Sequence, residues 1–185
     1  LTHVFIASVH HTGTNFCTKL FKDIGYEQSD KTPKEAGNSA NYFHRAHIAD
    51  SVATELKTWL DLGLPIVVPL RHPVATLKSW LSRGKDPAEL KRQLDLLIGL
   101  VDTYKPLYLP IDSPDRDAYF TDLRLKVDLR LNTSWPVVAS KAKGSDHRAQ
   151  LEPVSPTPEG LENIMPYCFH PFFERFYGVE KVFPK

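Results

Sequence analysis

The chain has 185 residues, of which 42% are hydrophobic and 11% aromatic; that is enough apolar material for one buried core and excludes general disorder. Its 23 basic and 22 acidic side chains leave a formal charge of +1, which excludes coating of nucleic acid or an anionic membrane by bulk charge. Any anion site must therefore come from a local cluster. Two cysteines, Cys17 and Cys168, exclude a disulfide-stapled miniprotein, lack the spacing of a zinc site, and read as buried thiols.

The chain opens on His3-Val-Phe-Ile-Ala-Ser-Val9, a short apolar run rich in β-formers that predicts a buried strand. His10-His11-Thr12-Gly13-Thr14-Asn15 follows. Then Phe16, Cys17, Leu20, Phe21 and Ile24 recur at helical spacing, with Gly25 as a stop. Tyr26 to Asn41 is polar and holds Pro33 and Gly37, which predicts an exposed loop. Tyr42 to His47 reads as a short strand, and Ile48 to Leu62 as a helix with Val52, Leu56, Trp59 and Leu60 on one stripe.

Pro65-Ile-Val-Val-Pro-Leu70 is a second buried strand, followed at once by Arg71-His72-Pro73 and a helix over 74–83. The longest apolar run, Leu62 to Leu70, falls far short of the ~20 residues that cross a bilayer. Asp86-Pro87-Ala88-Glu89 places a cap, a first-position proline and a first-turn acid, starting a helix that runs to about Tyr104. Leu107 to Ile111 is a third strand candidate. Asp115 to Leu131 fits a helix or a hairpin, and Glu152 to Pro158 a proline-rich loop. Leu161 to Tyr177 predicts a docked terminal helix interrupted by Pro166 and Pro171.

Strands alternating with helices predict a three-layer α/β/α fold around a mainly parallel sheet, similar to the P-loop nucleotide hydrolases. The expectation is a single domain over residues 1–185, cytoplasmic, with no membrane segment and no nucleic-acid partner.

A strand entering a small-residue turn that opens a helix makes an anion site, because unpaired backbone N–H groups and the helix dipole both point outward there. Gly13 permits close backbone approach, and Thr12 and Thr14 add hydroxyls. The common triphosphate loop is incomplete here: Ser8 stands where its first glycine belongs, and Gly13 is not followed by Lys. Arg71 lies at the carboxyl end of the second buried strand, on the sheet edge where open α/β sheets bind ligands, and Ser79 follows eight residues later on the ensuing helix. A guanidinium and a hydroxyl on that corner suit a second phosphate.

Together these segments resemble the cofactor motifs of the sulfotransferases that use 3′-phosphoadenosine 5′-phosphosulfate (PAPS) and release 3′-phosphoadenosine 5′-phosphate (PAP). Val9-His10-His11-Thr12-Gly13-Thr14-Asn15-Phe16 resembles the family's 5′-phosphosulfate loop, a basic residue before Ser-Gly-Thr-Thr and an aromatic. Arg71-His72-Pro73 through Ser79 resembles its RxPxxxxxS motif for the 3′-phosphate. Arg45-Ala46-His47 resembles its Lys-Thr-His segment.

The resemblance implies that His11 to Asn15 hold the 5′ group, that Phe16 stacks on adenine, and that Arg71 and Ser79 hold the 3′-phosphate. It also implies that His47 is the catalytic base, with His11 and Arg45 stabilising the leaving group. Lys143-Gly144 is similar to the family's late Arg-Lys-Gly loop. The chain departs from the family in carrying His11 and Arg45 where lysines are usual. The scheme needs no metal, and no motif names the acceptor hydroxyl or amine or the oligomeric state. Two other readings stand beside this one: a kinase or hydrolase of the P-loop class, with Asp112 as its acidic magnesium ligand, and a non-catalytic nucleotide-binding module of the same fold.

Overall fold

The computed structural model describes residues 3–36, 40–49, 52–126 and 154–178. Its centre is a five-stranded sheet in the order β2-β3-β1-β4-β5, formed by Tyr26–Gln28 (β2), Asn41–His47 (β3), His3–Ser8 (β1), Ile66–Leu70 (β4) and Leu107–Pro110 (β5). Every pairing is parallel. All carboxyl ends of the strands therefore share one edge.

The alternation of side chains along β1 decides the layers. Val4 and Ile6 join Phe43, Val67 and Leu109 on one face, against Cys17, Leu20 and Phe21 of α1 (Thr14–Asp23) and Phe120 and Leu123 of α6 (Arg116–Lys126). Phe5 and Ala7 join Ile66, Val68 and Leu70 on the other. That face packs against α3 (Val52–Asp61), α4 (Pro73–Leu81), α5 (Pro87–Tyr104), α7 (Pro158–Cys168) and α8 (Pro171–Tyr177). With both faces covered, all six residues of β1 are buried, as a central parallel strand requires. The predicted α/β/α architecture is the observed one.

Local chemistry sets the helix starts. Asp86 caps α5 by accepting from the Ala88 N–H at 2.9 Å, with Pro87 at the first position. His72 Nδ1 caps α4 by accepting from the Val74 N–H at 3.2 Å, ahead of Pro73. Thr157 and His170 do the same for α7 and α8, with Pro158 and Pro171 behind them.

Several expectations change. Tyr26 to Asn41 is not simply an exposed loop: Tyr26–Gln28 is the edge strand beside β3, and Tyr26 is buried edge-on against Phe21 with centroids 5.2 Å apart. Within the same segment, Pro33–Ala36 forms a short helix, α2, on a capping box in which Glu35 Oε2 accepts from the Thr32 N–H at 2.9 Å. The helix expected from Ile48 begins at Val52, because the Ile48 N–H is still in the sheet ladder, bonded to the Ser8 carbonyl at 2.8 Å.

From Asp115 the chain turns as a helix rather than a hairpin over Arg116–Lys126, and residues 127–131 lie outside the described residues. At the carboxyl side Pro166 lies inside α7 without ending it, whereas Pro171 opens α8. Cys17 and Cys168 are both free and buried, and burial pushes the Cys168 thiol up to about 11. Among the described residues no helix is long and apolar enough to cross a membrane.

Candidate functional site: the carboxyl edge of the sheet

Three adjacent strands, β3, β1 and β4, deliver the sequence-predicted residues to one edge. Ser8, the last residue of β1, pairs in register with His47, the last residue of β3. Ser8 Oγ lies 2.8 Å from Thr14 Oγ1 and 3.5 Å from His47 Nδ1, tying the start of α1 to the end of β3.

The loop between β1 and α1 is tightly wound. The Thr12 hydroxyl and N–H both donate to the Val9 carbonyl, at 2.8 and 3.3 Å. The Thr12 side chain therefore holds the loop's shape, and its hydroxyl proton points into the turn. His11 adopts φ of 67° and Gly13 φ of 104°. A positive φ on a histidine is backbone strain, here stored at the turn between β1 and α1. Gly13 has a second constraint: a Cβ there would sit 2.6 Å from Ile111 Cδ1.

The first bond of the α1 ladder runs from the Cys17 N–H to the Gly13 carbonyl at 2.8 Å, so the amides of Gly13, Thr14 and Asn15 precede the ladder. Asn15 is exposed at this helix start. Phe16 is half-buried and packs against the α1 side of the sheet core.

Around the loop stands a histidine cluster. The His10 ring stacks on His47, and both it and His11 stand perpendicular to Trp80, with centroids 5.8 and 5.4 Å away. Gln93 Oε1 accepts from both the His10 N–H and Nδ1, at 3.0 and 3.1 Å, while its Nε2 donates to Glu89 at 3.1 Å. That chain of bonds fixes the Gln93 amide and puts the His10 proton on Nδ1.

Burial, then repulsion from Arg83, Lys85 and the neighbouring rings, lowers His11 to about 4. Burial, then His10, with smaller contributions from Arg45 and Lys85, lowers His47 to about 4 as well. Both rings are neutral at pH 7. Nε2 of His11 is buried with no hydrogen-bond partner. An incoming polar group would satisfy it.

The second corner is built on β4 and α4. Arg71 Nε lies 3.8 Å from Asp112 Oδ2, and the Asp112 carboxylate also accepts from the His72 N–H at 3.1 Å. Tyr177 closes this corner from α8. Burial, with Asp112 beside it, holds its phenol well above the ordinary value. Ser79 Oγ accepts from Arg83 Nη1 at 3.0 Å. Arg45 Nη1 donates to Thr18 Oγ1 of α1 at 3.4 Å. Ser8 thus links Thr14 to His47, and His10 stands between His47 and His11, with Arg71 and Ser79 on the next strand–helix corner. Lys143 and Gly144 lie outside the described residues.

Sequence reasoning missed His10, Trp80, Arg83, Lys85 and Gln93 as members of this edge. The basic pair flanking Gly84, just past the helix that carries Ser79, is the signal that could have flagged the two cations. Among the described residues no group of three or more His, Cys, Asp or Glu is arranged to hold a metal ion.

No family model matches the chain, and a search of curated protein sequences finds no match. Its structure is similar to the crystal structure of mouse sulfotransferase SULT7A1 complexed with PAP, at a TM-score of 0.51 and 12% identity, over 94% of this chain and 80% of that one. The likeness is one of fold, and in this chain that fold is an all-parallel α/β sheet with flanking helices.

Proposed function

We propose that this chain, as one domain, binds PAPS along the carboxyl edge of its sheet and transfers the sulfuryl group to an acceptor hydroxyl or amine. The observation that carries this reading is the convergence of loop 10–16, His47 and the Arg71/Ser79 corner on three neighbouring parallel strands. The unsatisfied His11 Nε2 and the amides ahead of the α1 ladder fit an anionic 5′ group. The PAP in the solved sulfotransferase of similar fold supports the same ligand class.

When bound, PAPS would supply an activated sulfuryl group with a good leaving group. The protein's own part would be positioning and charge, as in phosphoryl transfer. The amides of Gly13, Thr14 and Asn15, with the Thr14 hydroxyl, would hold the 5′ end, and Arg71 with Ser79 the 3′-phosphate. His47 is neutral and its Nδ1 faces Ser8, so it would accept the acceptor's proton at Nε2. Arg45 lies close enough to lower the His47 pKa and would favour negative charge at the same place.

The uncharged His11, where this family usually has lysine, favours a second reading: a module that binds the nucleotide without turning it over. The kinase reading would require Asp112 as a magnesium ligand, and that carboxylate is already engaged by Arg71 and the His72 N–H. Calorimetric titration with PAP, beside ATP–magnesium, tests the proposal. Micromolar binding of PAP that Arg71→Ala weakens about tenfold or more is expected, and binding of ATP–magnesium alone would overturn it. If PAP binds but no acceptor in a panel of phenols, sugars and amines is sulfated, the second reading takes its place.

A further inference from the structure

The turn joining α4 to α5 carries two cations that belong to no motif. It is pinned to Trp80 from several sides: the N–H groups of Arg83 and Lys85 donate to the Trp80 carbonyl at 3.1 and 3.3 Å, and Trp80 Nε1 donates to the Asp86 carbonyl at 2.7 Å. Trp80 itself is buried. The turn is therefore a fixed platform rather than a loose loop, and Lys85 Nζ sits 5.0 Å from the centroid of the Trp80 ring. The same ring lies perpendicular to His10 and His11, with centroids 5.8 and 5.4 Å away.

Arg83 reaches the other corner, its Nη1 donating to both the Ser79 carbonyl and Ser79 Oγ, at 3.1 and 3.0 Å. A hydroxyl that accepts from a guanidinium keeps its own proton to donate elsewhere. No ion pair among the described residues engages Arg83 or Lys85.

We propose that Arg83 and Lys85 are anion-binding residues that supply, from the α4–α5 turn, the fixed positive charge that the β1–α1 loop lacks; this rests on the nucleotide reading of the site. His11 occupies the loop position where a permanent cation would ordinarily stand, and it is neutral. Both turn cations repel a proton on His11, and Lys85 also repels one on His10 and His47. A charge that disfavours a cation at a point favours an anion there by the same interaction. Lys85 acts on the 5′ end, beside the loop. Arg83 links the two ends, touching Ser79 and biasing His11.

Arg83 is exposed and Lys85 half-buried, so neutral replacements leave the core intact. The test is calorimetric titration of PAP and of adenosine 5′-phosphate at several salt concentrations, for the unaltered protein, Arg83→Gln and Lys85→Met. Thermal melts confirm that each variant is folded.

Each substitution is expected to weaken PAP at least about tenfold and to flatten its salt dependence, the effect of a lost charge rather than a lost shape. Lys85→Met is expected to weaken both nucleotides alike, because they share the 5′ group. PAP affinity and salt dependence unchanged in both variants would overturn this inference and leave the nucleotide reading standing. An unaltered protein that fails to bind PAP would overturn both.

Discussion

The imidazoles of His10 and His47 stack with their centroids 3.6 Å apart and their planes 14° from parallel. Two rings this close cannot both carry a proton cheaply, and His10 is second only to burial in lowering the pKa of His47. The pair is held from both ends, by Gln93 on His10 and by Ser8 on His47. In the free protein this stack is a neutral, proton-accepting surface beside the start of α1.

Proton uptake on binding follows. An anion placed among His10, His11 and His47 raises their pKa values from the lowered range of the free protein. Between about 4 and the bound-state value, PAP binding should therefore take up protons, and affinity should rise as pH falls from 8 to 6. Calorimetry at pH 6.5 in buffers of different ionisation enthalpy measures the proton number directly. Zero uptake would place the ligand away from the histidines.

The same shifts make stability depend on pH. His11 and His47 titrate near 4 when folded and near 6.5 otherwise. Above 6.5 both states are neutral and nothing is lost. As pH falls from 6.5 toward 4, the unfolded chain takes up protons that the folded chain refuses, so stability is lost across that window. Discounted for partial exposure, the loss is about 1–2 kcal/mol for the two together. Urea unfolding at pH 7, 5.5 and 4.5 should show it, and His47→Asn should have a shallower slope.

Gly13 should tolerate no side chain. Its φ of 104° is strained for any other residue, and a Cβ meets Ile111 Cδ1 at 2.6 Å. Gly13→Ala is expected to cost about 2–4 kcal/mol. Adding Ile111→Val removes the clashing methyl and should recover part of that cost in a double-mutant cycle. Strict additivity would mean that the contact is not the cause.

Arg71 should discriminate the 3′-phosphate. Arg71→Ala is expected to weaken PAP by about 1.5–3 kcal/mol while leaving adenosine 5′-phosphate nearly unchanged. Equal losses for both ligands would point to a collapsed corner instead, since Arg71 is also paired with Asp112.

Much of this was legible in the sequence, for definite reasons. The caps at Asp86 and the proline after His72 are local chemistry, and α4 and α5 start where they say. The buried runs at His3 and Pro65 are parallel strands, and parallel strands send their following loops to one edge, so the two motifs had to meet there. Tyr26–Gln28 escaped notice because three residues paired on one side carry almost no pattern. The Thr32/Glu35 capping box was readable and was passed over. Pro166 misled because only Tyr167 and Cys168 follow it in α7, so the helix ends close behind it although not at it.

Within the site, the His10–His47 stack depends on the Ser8–His47 register, and the approach of Arg83 and Lys85 depends on how their turn is pinned to Trp80. The stack is a tertiary fact with no local signature, whereas the turn is held by contacts within six residues and only its approach to the histidines is tertiary.

If one sheet edge holds both phosphate ends of the same nucleotide, a crystal structure of the chain with PAP will show them there. The 5′-phosphate is expected within hydrogen-bond distance of the amides of Thr14 and Asn15, and the 3′-phosphate within hydrogen-bond distance of Arg71 and Ser79. PAP bound with neither phosphate at these residues, or on another face of the sheet, would contradict that arrangement.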